Sequence, residues 1–528
     1  MTQQHLEYAA RRRALYVRAV ATILVLTSLT SCGKRAWTPT IHPPDQYARV
    51  GDEADYLKVH MRDGRLYVLR SWQLDNRRTA ITGRGALYDR ERERKGTSKS
   101  YSIPLDDIVL LEANDSRRIQ GFGIAWLGFW TTVYGVITGI CVADPKACFG
   151  SCPTFYVHDG QSERLQAEGF SSSVARVLEE RDVDALYFAR SKDGRLEIRM
   201  TNEALETHAV RRLRLLSVPR TDGARVFAGA DGRYYTGYGV SEPNGCRAPE
   251  GDCRESVRAM DDSERASVTD STDLTTRENV YLEFPQLNGP VGLVLSARNT
   301  FVTTHVIYQS MAYMGSQAGE ILAQLERGDP MLENGAKNLL AALGGIEIAV
   351  LQPDGSWQEI GEYSENGPIA ADVQLFSFDS AHHKGPITVR LRMAQGNWRI
   401  GYAALVSPLA PVEPLVLQPT KVLTDRDRGT EAFDALVDPD RYLFTYPGDE
   451  YRLVFELPDA DASYEFFLES QGYYYEWMRG EWLAEEDPAM LALILTNPHA
   501  ALRRLAPAFK KVEPSMERLF WSSKFSRR

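Results

Sequence analysis

Two cysteines separated by three residues are the positions in this sequence best suited to carry chemistry. Cys148 and Cys152 stand in the stretch KACFGSCPTFYV, and Pro153 directly follows the second cysteine. Two closely spaced thiolates suit soft metal ions such as Cu(I), and they also suit thiol–disulfide exchange. The same pair can instead form a disulfide, because Gly150 and Pro153 favour a turn that brings the two α-carbons within the ~4.4–6.8 Å that a disulfide requires.

A second candidate group lies in the stretch TNEALETHAV, where Glu203, Glu206 and His208 combine carboxylates with an imidazole. On a strand Glu206 and His208 share one face, whereas Glu203 points to the other. We interpret all three as exposed polar residues of a strand. The sequence contains no His-Glu-x-x-His, Gly-x-Ser-x-Gly or phosphate-loop motif. We therefore assign no catalytic residue, no metal ligand and no cofactor.

Aromatic residues are concentrated in the stretch GYYYEWMRGEW near the C-terminus. Aromatic side chains on a strand can stack on sugars or anchor a partner, but they fill a core more often. We expect a core role for Tyr473, Tyr475 and Trp477. We also keep these three as a candidate ligand surface, together with Trp357 and Trp398 on other strands.

Length and composition describe a large globular protein. The 528 residues are 43% hydrophobic and 25% charged, enough for about three or four domains with substantial cores. The net charge of −10 argues against a nucleic-acid partner, because proteins that bind nucleic acid non-specifically usually carry a basic excess.

The N-terminus has the organisation of a secretory signal. A cluster of arginines precedes the apolar stretch AVATILVLTSLT, and small residues follow. The sequence Leu29-Thr30-Ser31-Cys32 resembles the lipobox of bacterial lipoproteins, which implies cleavage before a lipidated Cys32. Gly33 follows in place of aspartate, and by the same resemblance this favours the outer membrane. The expected membrane partner is thus reached through the N-terminal lipid.

Export to an oxidising compartment changes the interpretation of the other cysteines. Five remain after Cys32, so one is left over when two pairs form. Cys246 and Cys253 lie in a Gly-, Pro- and Asp-rich loop that tolerates a small closed ring, and we predict a disulfide between them. For the other three, Cys148–Cys152 is the preferred pair with Cys141 as the spare; Cys141–Cys148 and Cys141–Cys152 remain alternatives.

The Cys-x-x-x-Cys-Pro motif also resembles that of thioredoxin-like copper chaperones, in which two thiolates and a distant histidine bind copper. That resemblance would make His158 or His208 the third ligand. In the copper chaperones the cysteines lead into a helix, whereas here TFYVHDG has the pattern of a strand and a hairpin. We therefore favour a structural disulfide over copper or thiol-redox chemistry.

The wider segment resembles a family of uncharacterised bacterial lipoproteins. The likeness is carried by the motif CFGSCPTFYV and by the stretches that follow it, over residues 140–290. It implies an envelope location and a β-rich fold, and it transfers no catalytic residue.

Turn signals predict a largely antiparallel β protein. Asp-Gly pairs recur at 63–64, 159–160, 193–194, 222–223, 231–232 and 354–355, each beside a run with apolar alternation. Helical patterns interrupt these runs. We predict an α+β fold that is predominantly antiparallel β: a β-sandwich with helical insertions, preceded by a small β domain.

The predicted organisation follows the composition of successive segments. It is a signal peptide at 1–31, a tether at 32–48, a small β domain at 49–115, a hydrophobic glycine-rich segment at 116–143, a β-sandwich at 144–410 with a helical insertion at 301–345, a linker at 411–440, and a C-terminal α+β unit at 441–528.

The hydrophobic segment is long enough to span a membrane, since residues 119–143 carry no charge. Arg117 and Arg118 flank the side that would be external, against the positive-inside tendency. We favour a buried or membrane-apposed helix or hairpin and keep a true span as the alternative.

Together these features indicate a lipid-anchored protein of the bacterial cell envelope, at the outer membrane facing the periplasm or the cell surface. Its expected role is structural or interactive and non-catalytic, with an envelope glycan or protein as partner. Two alternatives remain: a glycan- or peptidoglycan-binding module, and a copper or thiol-redox protein that uses Cys148 and Cys152.

Overall fold

The fold is antiparallel β almost throughout, which confirms the predicted α+β class. The computed structural model describes residues 35–42, 47, 50, 57–61, 65–75, 78–88, 94–118, 152–204, 206–318, 321, 324–325, 328–364, 367–424, 429–439, 441–446, 448–476 and 485–522. Cys32, Cys141, Cys148, Trp477 and the hydrophobic stretch 119–143 lie outside these ranges.

The N-terminal sheet has six antiparallel strands, which are β1 (Arg35–His42), β2 (Leu57–Met61), β3 (Leu66–Leu74), β4 (Ala80–Tyr88), β5 (Arg94–Pro104) and β6 (Ile108–Arg118). Their order is β1-β6-β2-β3-β4-β5. The predicted tether at 32–48 therefore contains a strand, because β1 pairs with β6 along its whole length. Pro39 is tolerated there because an edge strand leaves one side of its backbone free of ladder hydrogen bonds.

Two further sheets combine strands from distant parts of the chain. Sheet I contains β7 (Thr154–His158), β8 (Glu163–Glu168), β10 (Arg195–Thr201), β25 (Lys421–Leu423) and β27 (Glu450–Glu456). Sheet II contains β9 (Glu180–Ala185), β11 (Glu206–Pro219), β24 (Leu415–Leu417), β26 (Leu443–Thr445) and β28 (Tyr464–Glu476). Their orders are β25-β27-β10-β7-β8 and β24-β11-β28-β9, with β26 also on β11.

The other two sheets use the middle of the chain. Sheet III contains β12 (Arg225–Gly229), β13 (Tyr234–Ser241), β16 (Arg265–Ala266), β18 (Pro290–Asn299), β21 (Asp372–Asp379) and β23 (Trp398–Val412). Sheet IV contains β14 (Gly245–Ala248), β15 (Gly251–Asp252), β17 (Arg277–Phe284), β19 (Ile346–Leu351), β20 (Trp357–Tyr363) and β22 (Ile387–Ala394). In sheet III the order is β13-β12-β21-β18-β23-β16. β13 also pairs with β23, so the strands from β13 to β23 form a closed ring. In sheet IV the order is β15-β14-β17-β22-β19-β20.

Three apolar cores hold these sheets in a stack ordered I, II, III, IV. The core between I and II contains Ile198 and Leu213, that between II and III contains Leu216 and Leu375, and that between III and IV contains Leu293 and Leu391. Sheet II is thus covered on both faces, and alternate residues of β11 enter different cores. The outer face of sheet IV carries half-exposed side chains, among them Tyr281, Trp357 and Arg390.

The predicted division at 411–440 does not separate two structural units. β27 pairs with β10, and β28 lies between β11 and β9, so C-terminal strands complete sheets that begin before residue 220. Apolar alternation predicts that a strand exists, but its partner is decided by which faces can be buried together. The sequence analysis predicted an α+β unit at 441–528, whereas the pairing of its strands with strands before residue 220 was not predicted.

Six helices accompany the sheets in the described residues, namely α1 (Arg254–Val257), α2 (Phe301–Met314), α3 (Pro330–Leu343), α4 (Gly429–Val437), α5 (Pro488–Thr496) and α6 (Pro498–Ser522). α2 and α3 lie in the predicted helical insertion and share one apolar core with α5 and α6. Asp329 caps the start of α3, and Gly344 ends it with φ 68°. No helix among the described residues is long and apolar enough to span a membrane.

Candidate functional site

Cys152 carries a free and buried thiol, so the predicted Cys148–Cys152 disulfide is wrong. The residue lies two positions before β7, and its side chain belongs to the core between sheets I and II. Burial raises the pKa of the thiol well above its usual value, and the nearby carboxylates of Glu168 and Glu206 raise it further.

Glu168, at the end of β8, lies on the same cavity as Cys152. One carboxylate oxygen accepts a hydrogen bond from the backbone N–H of Ile369 at 2.7 Å and a longer one from Ala370 at 3.4 Å. Burial nevertheless raises the pKa of Glu168 to about 7, because desolvation of the charged form outweighs these donors. A carboxyl group with this pKa can exchange a proton near neutral pH.

The shared cavity is small. Its volume is about 40 Å³, room for roughly three water molecules, and its lining includes Cys152, Glu168, Ser172, Thr303, Tyr308 and Tyr474. A nucleophilic cysteine must form a thiolate, whereas this environment keeps the thiol protonated. The geometry therefore supports a buried polar cluster more than a substrate site.

Glu206 and His208 are completely buried, which corrects the interpretation of this strand as exposed. The Nε2 atom of His208 lies 2.6 Å from Glu206 Oε1, and its Nδ1 atom lies 3.1 Å from Thr445 Oγ1. Asn202 adds hydrogen bonds from its amide to the backbone oxygens of Glu206 and Thr445. Glu203 is buried as well, and it accepts a hydrogen bond from the hydroxyl of Tyr156.

The arrangement of Glu206, His208 and Thr445 places a carboxylate, an imidazole and a hydroxyl in line. This is the order of groups in a hydrolytic triad. None of the three has a solvent-exposed side chain, however, and Thr445 lies on β26, opposite His208 in the pairing of β26 with β11. The cluster fixes β26 against β11, and we assign it a structural role.

Neither histidine considered as a copper ligand is placed to bind a metal ion together with Cys152. His158 lies at the opposite end of β7, roughly 20 Å along the strand, and its Nδ1 accepts a hydrogen bond from Gly160. Both ring nitrogens of His208 already face Glu206 and Thr445. In the part of the chain that the structure describes, no group of three His, Cys, Asp or Glu residues could hold a metal ion.

The tyrosines proposed as a ligand surface are core residues. Tyr473 and Tyr475 are buried, with ring centroids 5.2 Å apart in an edge-to-face arrangement. Tyr474, between them, is buried in the opposite core and donates a hydrogen bond to the backbone oxygen of Ser171. Trp398 is also buried, against Tyr363. The expected core role is therefore correct for these tyrosines, and the ligand-surface alternative is wrong for Tyr473 and Tyr475.

The outer face of sheet IV presents a different kind of surface. Arg247 on β14, Tyr281 on β17 and Arg390 on β22 are consecutive cross-strand partners. The Arg247 guanidinium lies 4.8 Å from the centre of the Tyr281 ring, and that of Arg390 lies 4.6 Å from the centre of the Trp357 ring. The two aromatic rings are 6.0 Å apart. We call these four residues the Arg–aromatic row.

The predicted disulfide between Cys246 and Cys253 is confirmed, and it lies beside this row. Both cysteines are buried in the core between sheets III and IV. Because side chains alternate along a strand, Arg247 points outward while Cys246 and Ala248 point inward. The disulfide thus anchors the short β14–β15 hairpin that carries Arg247.

Trp357 is the one member of the row that sequence analysis singled out. Tyr281, Arg247 and Arg390 were missed because they come from three segments of the chain that only the strand register brings together. The alternation of apolar and polar residues gave a weak indication that these three side chains face outward, since each lies between inward-facing apolar neighbours.

Comparison with known proteins does not assign this chain to a family. No protein-family model matches the sequence, and no curated protein matches it. Among solved structures, a β-porphyranase of glycoside hydrolase family 86 from Bacteroides plebeius is 9% identical with a TM-score of 0.17, covering 47% of this chain and 39% of that chain. A GH31 α-xylosidase from Xanthomonas citri is 9% identical with a TM-score of 0.15, covering 84% and 38%.

A viral protein gives a similar result. The VP2 subviral particle of infectious bursal disease virus is 9% identical with a TM-score of 0.14, covering 93% of both chains. The chain spans about two-fifths of the length of the two hydrolases. At these TM-scores the likeness carries no information about activity.

Proposed function

We propose that this chain is an exported, lipid-anchored protein of the bacterial cell envelope, with an interaction role and no catalytic one. The signal-like N-terminus and the lipobox resemblance at Cys32 support the anchor. A non-catalytic role is supported by the state of the groups that chemistry would need. The Cys152 thiol has a raised pKa, and His208 is sealed between Glu206 and Thr445.

The observation that carries the proposal is the Cys246–Cys253 disulfide. Disulfides persist in oxidising compartments and are rare in the cytosol. These cysteines follow the hydrophobic stretch 119–143, so the disulfide supports an external location for the later residues. It therefore favours a buried or membrane-apposed segment over one that crosses to the cytoplasm.

Fatty-acid labelling of the full chain in a bacterial host tests the anchor. We expect the wild type to incorporate labelled palmitate and to fractionate with membranes, whereas Cys32→Ser loses the label. Cys152→Ser is the matched control and keeps the label, because its thiol is buried within the fold. An unlabelled wild type would contradict the proposal. Protease treatment of intact spheroplasts tests topology, since external residues 152–522 are accessible and cytoplasmic ones are protected.

A glycan- or peptidoglycan-binding role is the second candidate, and the Arg–aromatic row favours it. Half-exposed aromatic rings on the face of a sheet can stack on sugar rings. Co-sedimentation of the full chain with purified peptidoglycan sacculi tests this role. We expect Trp357→Ala to reduce the bound fraction and the exposed Tyr238→Ala to leave it unchanged. Equal sedimentation of all variants, or none of the wild type, would count against binding by this face.

A further inference from the structure

We infer that the Arg–aromatic row recognises a carboxylate-bearing glycan. This inference rests on the proposed glycan-binding role and adds the chemical class of the ligand. Its basis is the contrast between arginines on the outer face of sheet IV that have carboxylate partners and those that have none. The aromatic rings define where a sugar would lie, and the free guanidinium groups define its charge.

Arg392 is an arginine on the same face that already has a carboxylate partner. It lies two residues from Arg390 on β22, and its Nη1 atom donates to both carboxylate oxygens of Glu347 at 2.9 and 2.8 Å. Among the described residues, Arg247 and Arg390 have no carboxylate within 4.0 Å. The Nε atom of Arg390 is buried and has no hydrogen-bond partner there. These two arginines thus retain the capacity to bind an anion.

Stacking on the aromatic rings orients the two guanidinium groups to bind a carboxylate. A guanidinium that lies over an aromatic ring is held by its flat face, while the N–H donors along its edge stay free. Such an edge matches a carboxylate with two parallel hydrogen bonds. Because Arg247 and Arg390 are two strands apart, their α-carbons are separated by about 10 Å across the sheet. One extended ligand can therefore contact both arginines and the Tyr281 ring between them.

The position of the row favours a glycan over a peptide. An extended peptide usually joins a sheet at an edge strand, through main-chain hydrogen bonds. Tyr281 and Arg390 lie on β17 and β22, which are interior strands with partners on both sides. Recognition at this place must use side chains on the face of the sheet, and ring stacking combined with carboxylate binding suits an acidic sugar polymer.

Two forms of one polymer provide the test. Binding of the full chain to polygalacturonate and to its fully methyl-esterified form is measured by titration calorimetry at low ionic strength. We expect the acidic form to bind more tightly, and the double variant Arg247→Ala/Arg390→Ala to weaken its binding by about 10- to 100-fold. Arg392→Ala is the matched control, and we expect less than about a 2-fold change because its charge is already paired.

The outcomes separate the inference from the proposed function. Equal binding of both polymer forms, reduced by Trp357→Ala and unaffected by the double arginine variant, would leave glycan binding standing and overturn the carboxylate specificity. Binding of poly-glutamate as tight as that of polygalacturonate would show that charge alone is recognised and would overturn the inference. Absence of binding to either polymer and to peptidoglycan sacculi would overturn both proposals.

Discussion

His208 Nε2 lies 2.6 Å from Glu206 Oε1, and neither side chain has any exposed surface. Two residues apart on β11, they point into the same layer between sheets I and II. A buried polar pair of this kind depends on both partners, because removing one takes away a contact that offsets the desolvation of the other.

We predict that His208→Ala lowers the free energy of unfolding by about 3–5 kcal/mol, because Glu206 then stays buried without its imidazole partner. Urea unfolding followed by tryptophan fluorescence measures the change. Glu197→Gln, on the exposed face of β10, is the control and should leave the free energy of unfolding nearly unchanged. A double variant with Glu206→Gln should lose less than the sum of the two single losses. Strict additivity would show that the two side chains act independently.

We predict that the protein loses stability as the pH rises through neutrality. The pKa of Glu168 rises from 4.5 to about 7 on folding, so between these values the folded state holds a proton that the unfolded state has released. Stability is therefore full below pH 4.5 and declines up to and beyond pH 7, by about 3 kcal/mol for this group.

Glu168→Gln should reduce this decline, because the amide cannot ionise, while the buried Asp182, whose pKa is also raised to about 7, continues to contribute. Thermal unfolding at pH 5 and pH 8 compares the two proteins, with Glu197→Gln as the control for removal of one carboxylate. If Glu168→Gln and the wild type lose the same stability between these pH values, the carboxyl group of Glu168 is not protonated on folding.

We predict that iodoacetamide leaves Cys152 unmodified in the folded protein and modifies it completely in urea. The reason is that only a thiolate reacts, and burial together with the neighbouring Glu168 carboxylate raises the pKa of this thiol. Mass spectrometry of the peptide that contains Cys152 gives the extent of labelling. Ser162→Cys, at an exposed turn, supplies a thiol that should react quickly in the folded state. Comparable rates at the two positions would contradict the buried environment of Cys152.

We predict that Cys246→Ser/Cys253→Ser lowers the free energy of unfolding by about 2–3 kcal/mol, the value expected for a closed loop with a sequence separation of 7. The same variant should weaken polygalacturonate binding, because Arg247 lies within the hairpin that the disulfide anchors. Cys152→Ser serves as the control for cysteine removal elsewhere. Unchanged binding would mean that the hairpin keeps its conformation without the covalent link.

Local features of the fold could be predicted from the sequence. Five of the six Asp-Gly pairs fall in described residues, and each of their glycines has a positive φ at a turn beside a strand. The remaining pair, 63–64, lies outside those residues. The glycine end of α3 was likewise predictable, because these signals act within a few residues of chain and do not depend on distant partners.

The placement of side chains between layers could not be predicted in the same way. Glu206 and His208 have the spacing of an exposed strand face, and only the packing of sheet I over sheet II buries them. Likewise, Arg390 is an ordinary polar residue of an alternating strand until the register places Tyr281 beside it. Both outcomes depend on pairings between residues more than a hundred positions apart.

The interleaving of early and late strands sets an order of assembly. Arg181 and Glu469 form an ion pair at 2.6 Å although 288 residues separate them. For a chain synthesised from its N-terminus, the strands of 154–219 are made long before those of 443–476, which cover their edges. Contacts between such distant segments slow folding and prolong the exposure of unpaired strands. Loss of the last 90 residues would therefore leave the first strands of sheets I and II without their neighbours, rather than remove a separable tail.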